Sequence, residues 1–141
     1  MHEGPNFLAL AILFTLPCFP MALMLNKSQR ERSPELLPFT WGYFFGLSGA
    51  FGFAVFAVLQ LLAGMTGQGD RAEFSLFLGV ALSTAALAFS LVIKRYKWAF
   101  VIATIVSLNP ILWIVNGIYI RNRWRELRGM PSIPIGSMFR R

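Results

Sequence analysis

The sequence predicts an all-α integral membrane protein, in which four transmembrane helices form a small bundle and a single membrane domain. With 141 residues, 56% hydrophobic content and 13% charged residues, the chain is too apolar for an ordinary soluble domain and too short for two domains. Four apolar runs contain no Asp, Glu, Lys, Arg or His, and they cover residues 7–25, 39–64, 74–93 and 98–120. As a helix, the shortest run would be roughly 28 Å long, close to the thickness of the hydrocarbon core of a bilayer.

The first run has the position and length of a secretory signal peptide. However, no Lys or Arg precedes it and no small-x-small cleavage pattern follows it. We therefore expect a retained helix that is bent by the prolines of LPCFP. The single cysteine, Cys18, lies between those prolines and is predicted to be a small buried hydrophobic residue.

The loops between the runs are short, and the third and fourth runs are separated only by KRYK. These two helices should form a tight antiparallel hairpin, and four crossings would put both termini on the same side. That side carries seven Lys and Arg, against six on the other. We expect both termini in the cytoplasm of a bacterial inner membrane, because a dense arginine cluster is hard to translocate. A dual-topology protein and a homodimer are the alternatives.

Small residues mark the faces on which membrane helices approach each other, because lipid is as apolar as the helices themselves. At about 100° per residue, one stripe of the second run includes Gly42, Gly46 and Gly49. A stripe of the third run includes Gly79 and Ser83. We expect these five residues to lie at helix–helix contacts in a compact bundle.

The fourth run contains polar residues within its apolar sequence. Asn109, Trp113 and Asn116 share one face of the predicted helix, and Pro110 removes a backbone hydrogen bond next to Asn109. One interpretation is a kinked helix whose asparagines hydrogen-bond to neighbouring helices. The other is an uncharged polar pocket, shared with Gln60, for a lipid headgroup, a quinone or a small solute.

The tail, residues 121–141, is predicted to begin as a continuation of the fourth helix that ends at Gly129. Its basic residues are all arginine, which suits bidentate contact with phosphate. We expect contacts with membrane lipids or with an acidic partner subunit, and no nucleic-acid binding. The arginines concerned are Arg121, Arg123, Arg125 and Arg128.

Several classes of chemistry are disfavoured. Proton pumps, proton-coupled transporters and voltage sensors keep ionisable groups at membrane depth, and the four runs contain none. The single histidine, His2, provides no ligand for an intramembrane haem or metal cluster. The chain also lacks G-x-S-x-G, H-E-x-x-H and a Gly-rich phosphate loop. We therefore predict a protein that is not an enzyme and that carries no cofactor.

Two functions fit these observations. The first is a non-catalytic accessory or structural subunit of a larger membrane complex, which packs through its small-residue faces and its arginine-rich tail. The alternative is a small transporter, channel or lipid- or quinone-binding membrane protein that uses the polar residues of the fourth run.

Overall fold

The computed structural model describes residues 6–128, and it confirms the all-α class. Of these residues, 80% are helical and none forms a strand. Six helices follow one another within residues 6–128: α1 (Phe7–Thr15), α2 (Cys18–Arg32), α3 (Thr40–Thr66), α4 (Asp70–Ile93), α5 (Lys97–Val106) and α6 (Pro110–Arg123).

Two helices, α3 and α4, are long and apolar enough to cross a membrane. Only 17% of the most apolar part of each helix is buried in the protein. The core helix of a soluble protein would be mostly buried, so these apolar faces are instead available to lipid or to another chain.

Helices α3 and α4 form the largest contact of the fold, an antiparallel pair joined by a short turn. Glycines allow this close approach. The Phe89 ring of α4 occupies the space that a Cβ atom at Gly49 would need. Leu61 of α3 approaches Gly79 of α4 in the same way, at 2.7 Å from a hypothetical Cβ.

The first apolar run is not one helix. It is divided into α1 and α2 at Leu16 and Pro17, and α2 continues beyond the predicted end at residue 25 to Arg32. Two prolines within four residues remove backbone donors, which explains a break rather than a bend. Both helices run antiparallel to α3, since the Phe14 ring lies 5.6 Å from that of Phe51 and Gln29 accepts a hydrogen bond from Tyr43. Cys18, the first residue of α2, is buried, as predicted.

The fourth apolar run differs more from the prediction, because the single helix expected over 98–120 is two helices that fold back on each other. The rings of Phe100 on α5 and Tyr119 on α6 stack with their centroids 6.0 Å apart. Trp98, near the start of α5, and Trp124, directly after α6, have ring centroids 6.4 Å apart. We call this unit, residues 97–123, the α5–α6 hairpin.

The tail also departs from the prediction. Helix α6 ends at Arg123 rather than near Gly129, and Gly129 itself lies outside the described residues. The chain then turns back towards the connection between α4 and α5. The Arg128 amide donates to the Arg95 carbonyl at 2.8 Å, and the Lys97 amide donates to the Arg128 carbonyl at 2.9 Å. These two backbone bonds fix the end of the described chain beside the C-terminus of α4.

This arrangement collects the basic residues at one end of the bundle, where α2 and α4 end and α3 begins. Of the eleven Lys and Arg among the described residues, Arg71 alone lies at the opposite end, next to the turn between α3 and α4. The other ten are Lys27, Arg30, Arg32, Lys94, Arg95, Lys97, Arg121, Arg123, Arg125 and Arg128. We call this the basic end.

Candidate functional site

A partly buried series of hydrogen bonds joins three helices at Asn116. Its side chain is almost completely buried, with 1% exposed. Trp41 Nε1 of α3 donates to Asn116 Oδ1 at 2.7 Å, and Asn116 Nδ2 donates to Thr104 Oγ1 of α5 at 3.0 Å. Thr104 Oγ1 donates in turn to the Phe100 carbonyl at 2.7 Å. The amide of Asn116 thus uses both of its ends to hold the α5–α6 hairpin against α3.

Asn109 has a different role from Asn116, because it begins a new helix. Its Oδ1 accepts hydrogen bonds from the backbone amides of Ile111 and Leu112, at 3.0 and 3.4 Å, and Pro110 takes the first helical position. This is an N-cap followed by a proline, a common start of a helix. The preceding residue, Leu108, has a positive φ of 50°, which reverses the chain between α5 and α6.

The four residues of the predicted polar pocket do not come together. Trp113 and Asn116 line one cleft of about 310 Å³ between α5 and α6, and the surface of this cleft is almost entirely apolar. Asn109 lies at the tip of the hairpin, outside that cleft. Gln60 is half-buried on α3, and its side chain has no hydrogen bond within the described residues. Trp113 is 45% exposed, so it forms a wall of the cleft rather than part of the core.

The small residues predicted for packing have several local roles. A Cβ at Gly46 would lie 3.0 Å from Ile93 and 3.1 Å from the Phe89 carbonyl, both on α4. A Cβ at Gly42 would instead meet the ring of Phe39, which folds over the first turn of α3. Ser83 donates to the Gly79 carbonyl one turn earlier, at 2.8 Å. Glycines of α3 thus face both α4 and the aromatic residue before the helix.

That aromatic residue, Phe39, is the centre of the basic end. It is 1% exposed, and its ring lies 5.2 Å from that of Tyr43, 6.3 Å from that of Phe100 and 5.9 Å from that of Tyr119. The guanidinium of Arg95 lies 4.8 Å from the Phe39 ring centroid, a cation–π distance. This cluster joins the start of α3 to both helices of the hairpin.

The predicted tail arginines differ in their surroundings. Arg123 is engaged within the chain, because its Nε donates to the Pro38 carbonyl at 3.2 Å and its guanidinium lies 4.2 Å from the Tyr119 ring centroid. Arg121 and Arg125 are exposed and form no ion pair within the described residues. They remain accessible to lipid phosphate or to a partner.

Sequence reasoning missed the residues that hold the hairpin in place. Trp41, Thr104 and Arg95 were not among the predicted site residues. A signal for the turn was present in SLNP, where an asparagine precedes a proline as in a helix N-cap. The contact of Trp41 with Asn116 had no sequence signal, since the two residues are 75 positions apart.

No ligand set for a metal was found among residues 6–128, where no three His, Cys, Asp or Glu cluster. The chain matches no protein-family model, no curated protein and no solved structure. Its function must therefore be inferred from its own geometry.

Proposed function

We propose that the chain crosses the membrane three times and that the α5–α6 hairpin enters the bilayer and returns to the side it came from. The ten residues of α5 extend about 15 Å, half of a hydrocarbon core of about 30 Å. At the tip, Leu108 lines a cleft together with Phe53 and Leu82, which lie at the middle of α3 and α4. The third crossing is the broken helix made of α1 and α2.

This topology also gives an orientation. The basic end, with ten of the eleven described Lys and Arg, would face the cytoplasm under the positive-inside rule. The start of α1 would face the other side, so the two ends of the described chain lie on opposite sides. Four crossings would give the two sides nearly equal numbers of Lys and Arg. With three crossings, the tail lies on the same side as the first and third loops, so the basic residues are concentrated there. A bacterial inner membrane is the proposed location.

Within that membrane we assign the protein the role of a non-catalytic accessory subunit of a larger assembly. The observation that carries this proposal is the uncovered tip of the hairpin. Leu108 is 81% exposed and Ile111 71%, and Asn109 Nδ2 has no hydrogen-bond partner within the described residues. Non-helical backbone at membrane depth is tolerated where protein or a water-filled cavity covers it. A partner subunit that covers the tip would meet this requirement.

The alternative function, a transporter or channel with a polar pocket, has less support. The amide of Asn116 uses its hydrogen bonds on Trp41 and Thr104, and little polar surface remains in the cleft beside Trp113. An apolar molecule such as a quinone tail or an acyl chain would fit this cleft better than a polar solute.

Labelling of single cysteines tests the topology. In a Cys18→Ser background, Gln68→Cys and Arg125→Cys place one thiol at each end of the bundle, both at exposed positions. A membrane-impermeant maleimide added to intact cells should label Gln68→Cys alone. Four crossings would put both thiols on one side, so equal labelling of the two variants contradicts the re-entrant hairpin.

Cross-linking from the tip tests the accessory role. Leu108→Cys, in the same background, would carry a photoactivatable maleimide in native membranes, and Val80→Cys on the exposed face of α4 is a control at a similar depth. A discrete adduct with a different membrane protein, formed from Leu108→Cys, supports the proposal. Adducts with lipid alone from both variants would count against it, and an adduct of twice the chain mass would identify a homodimer instead.

A further inference from the structure

A second cleft lies at the basic end, away from the α5–α6 cleft. It has a volume of about 320 Å³ and lies between the C-terminal part of α2, the first turn of α3 and the end of α4. Four of its lining residues are cationic and none is acidic; the cations are Arg32, Lys94, Arg95 and Arg128. Neutral hydrogen-bonding groups, including Ser28 and Ser33, complete the polar part of the wall.

Arg95 is the buried member of this set. The residue is 6% exposed, and its Nη2 lies 3.4 Å from Oε2 of Glu126, at the long end of the range for an ion pair. Its Nε and Nη1 are buried and form no hydrogen bond of good geometry, although the Tyr43 hydroxyl is close enough to interact with the guanidinium. A buried guanidinium with two unpaired nitrogens is costly, and the cost falls when an anion occupies the cleft that the residue lines.

The backbone of Arg95 adds a second reason to connect this side chain with a ligand. Its φ is 65°, in the left-handed region, and its amide donates to the Val92 carbonyl at 2.8 Å. The Tyr96 amide reaches back to the Leu91 carbonyl at 3.4 Å. These two bonds form the Schellman arrangement that ends a helix, and its left-handed position usually holds glycine. An arginine there is unfavourable for the backbone, and such outliers concentrate at functional sites.

The other cations are placed so that they can act on the same ligand. Arg128 is fixed by its two backbone hydrogen bonds to the α4–α5 connection, and Arg32 and Lys94 are exposed at the rim. The guanidinium fork matches two oxygens of a phosphate group. Leu25 and Ile93 provide an apolar wall on the side of the membrane.

We propose that this cleft binds a phosphate group, with Arg95 as its buried anchor and Arg32, Lys94 and Arg128 around it. The group would belong to an anionic lipid headgroup or to free inorganic phosphate, since both present the same oxygens. This site is separate from the tip of the hairpin, so it does not depend on the accessory role.

The test compares two arginine variants of the full chain. Arg95→Gly removes the guanidinium and places the residue favoured by the left-handed backbone, so the variant should fold. Arg125→Gly is the control, because Arg125 is exposed at the same end but does not line the cleft. Each protein would be titrated with inorganic phosphate, and examined by native mass spectrometry after reconstitution in phosphatidylglycerol or phosphatidylcholine nanodiscs.

We expect Arg95→Gly to weaken phosphate or phosphatidylglycerol binding roughly tenfold or more, because charge-assisted hydrogen bonds are lost. Arg125→Gly should stay within about twofold of the unmodified protein, since Arg125 does not line the cleft. Retention of phosphatidylglycerol without phosphate binding identifies the headgroup as the ligand, and phosphate binding without a lipid preference identifies free phosphate. Equal effects of the two variants, or no binding of either probe, would overturn the proposal.

If Arg95→Gly does not fold, the double variant Arg32→Gln and Lys94→Gln replaces it in the same binding measurements, because both residues lie at the exposed rim of the cleft. It leaves the core and the backbone bonds of Arg95 in place. A clear loss of affinity supports the site, and an unchanged affinity for both probes rejects it.

Discussion

The α3–α4 pair and the α5–α6 hairpin are both antiparallel helix pairs, but they are held together by different means. Between α3 and α4, glycines let bulky side chains such as Phe89 and Leu61 approach the opposite backbone. The hairpin is instead held by directional contacts. Asn116 hydrogen-bonds to Thr104 within the hairpin and to Trp41 of α3, and the rings of Phe100 and Tyr119 stack between α5 and α6. Two long helices can be held together by close packing of many side chains along their length. A hairpin of two short helices has fewer such contacts and depends on hydrogen bonds and aromatic stacking.

The largest expected effect comes from adding bulk between α3 and α4. Gly49→Leu would place a side chain where the Phe89 ring lies. We expect the free energy of unfolding to fall by about 3 kcal/mol and the compact form to be lost. Thermal unfolding in detergent and size-exclusion chromatography measure this change.

Gly52→Ala, one turn along the same helix, is the matched control. A Cβ at Gly52 would meet nothing within 4 Å, so this variant should be as stable as the unmodified protein or slightly more stable. If both variants behave alike, close packing at Gly49 is not what holds the pair together.

An intermediate effect is expected from Asn116→Leu. The change removes two hydrogen bonds and leaves Trp41 Nε1 without its acceptor, so we expect a loss of about 1–2 kcal/mol and release of the hairpin from α3. Asn122→Leu, at an exposed position of α6, is the control.

A double-mutant cycle with Trp41→Phe separates the contact from general destabilisation. If Trp41 and Asn116 act through their hydrogen bond, the double variant should be less destabilised than the sum of the single variants. Simple additivity would show that the two residues are not energetically coupled.

The smallest expected effect concerns the turn of the hairpin. Asn109→Ala removes the N-cap of α6 and should cost about 1 kcal/mol, while Asn109→Ser retains a capping oxygen and should cost less. Helix content by circular dichroism and thermal unfolding measure both variants. Equal losses would show that the cap contributes little and that Pro110 and the neighbouring contacts determine the turn.

The positions of the apolar runs were predictable from the sequence, because an absence of charge over 19 residues or more is typical of segments that lie in an apolar environment. The small residues at Gly46, Gly49 and Gly79 were also identifiable, since helical periodicity places them on common faces. The sequence predicted a bend in the first run and a kink in the fourth, but not that each run is divided into two helices. Hydropathy measures how apolar a segment is, but it does not register where the chain reverses.

The site was less accessible to sequence reasoning than the fold. Asn109 and Asn116 were singled out together, yet one caps a helix and the other joins three helices. The burial of Arg95 was not predicted, because it depends on contacts with Phe39 and Glu126, which are distant in the sequence. A single run of residues contains no information about such contacts.

The sequence by itself determined the helical class, the apolar segments and the excess of arginine, because composition and local periodicity depend only on neighbouring residues. Only the tertiary structure decided that the fourth segment folds back, that ten of the eleven described cations share one end, and that Arg95 is buried in a cationic cleft. These features depend on which segments pack together, and that is set by the fit of side chains from distant parts of the chain.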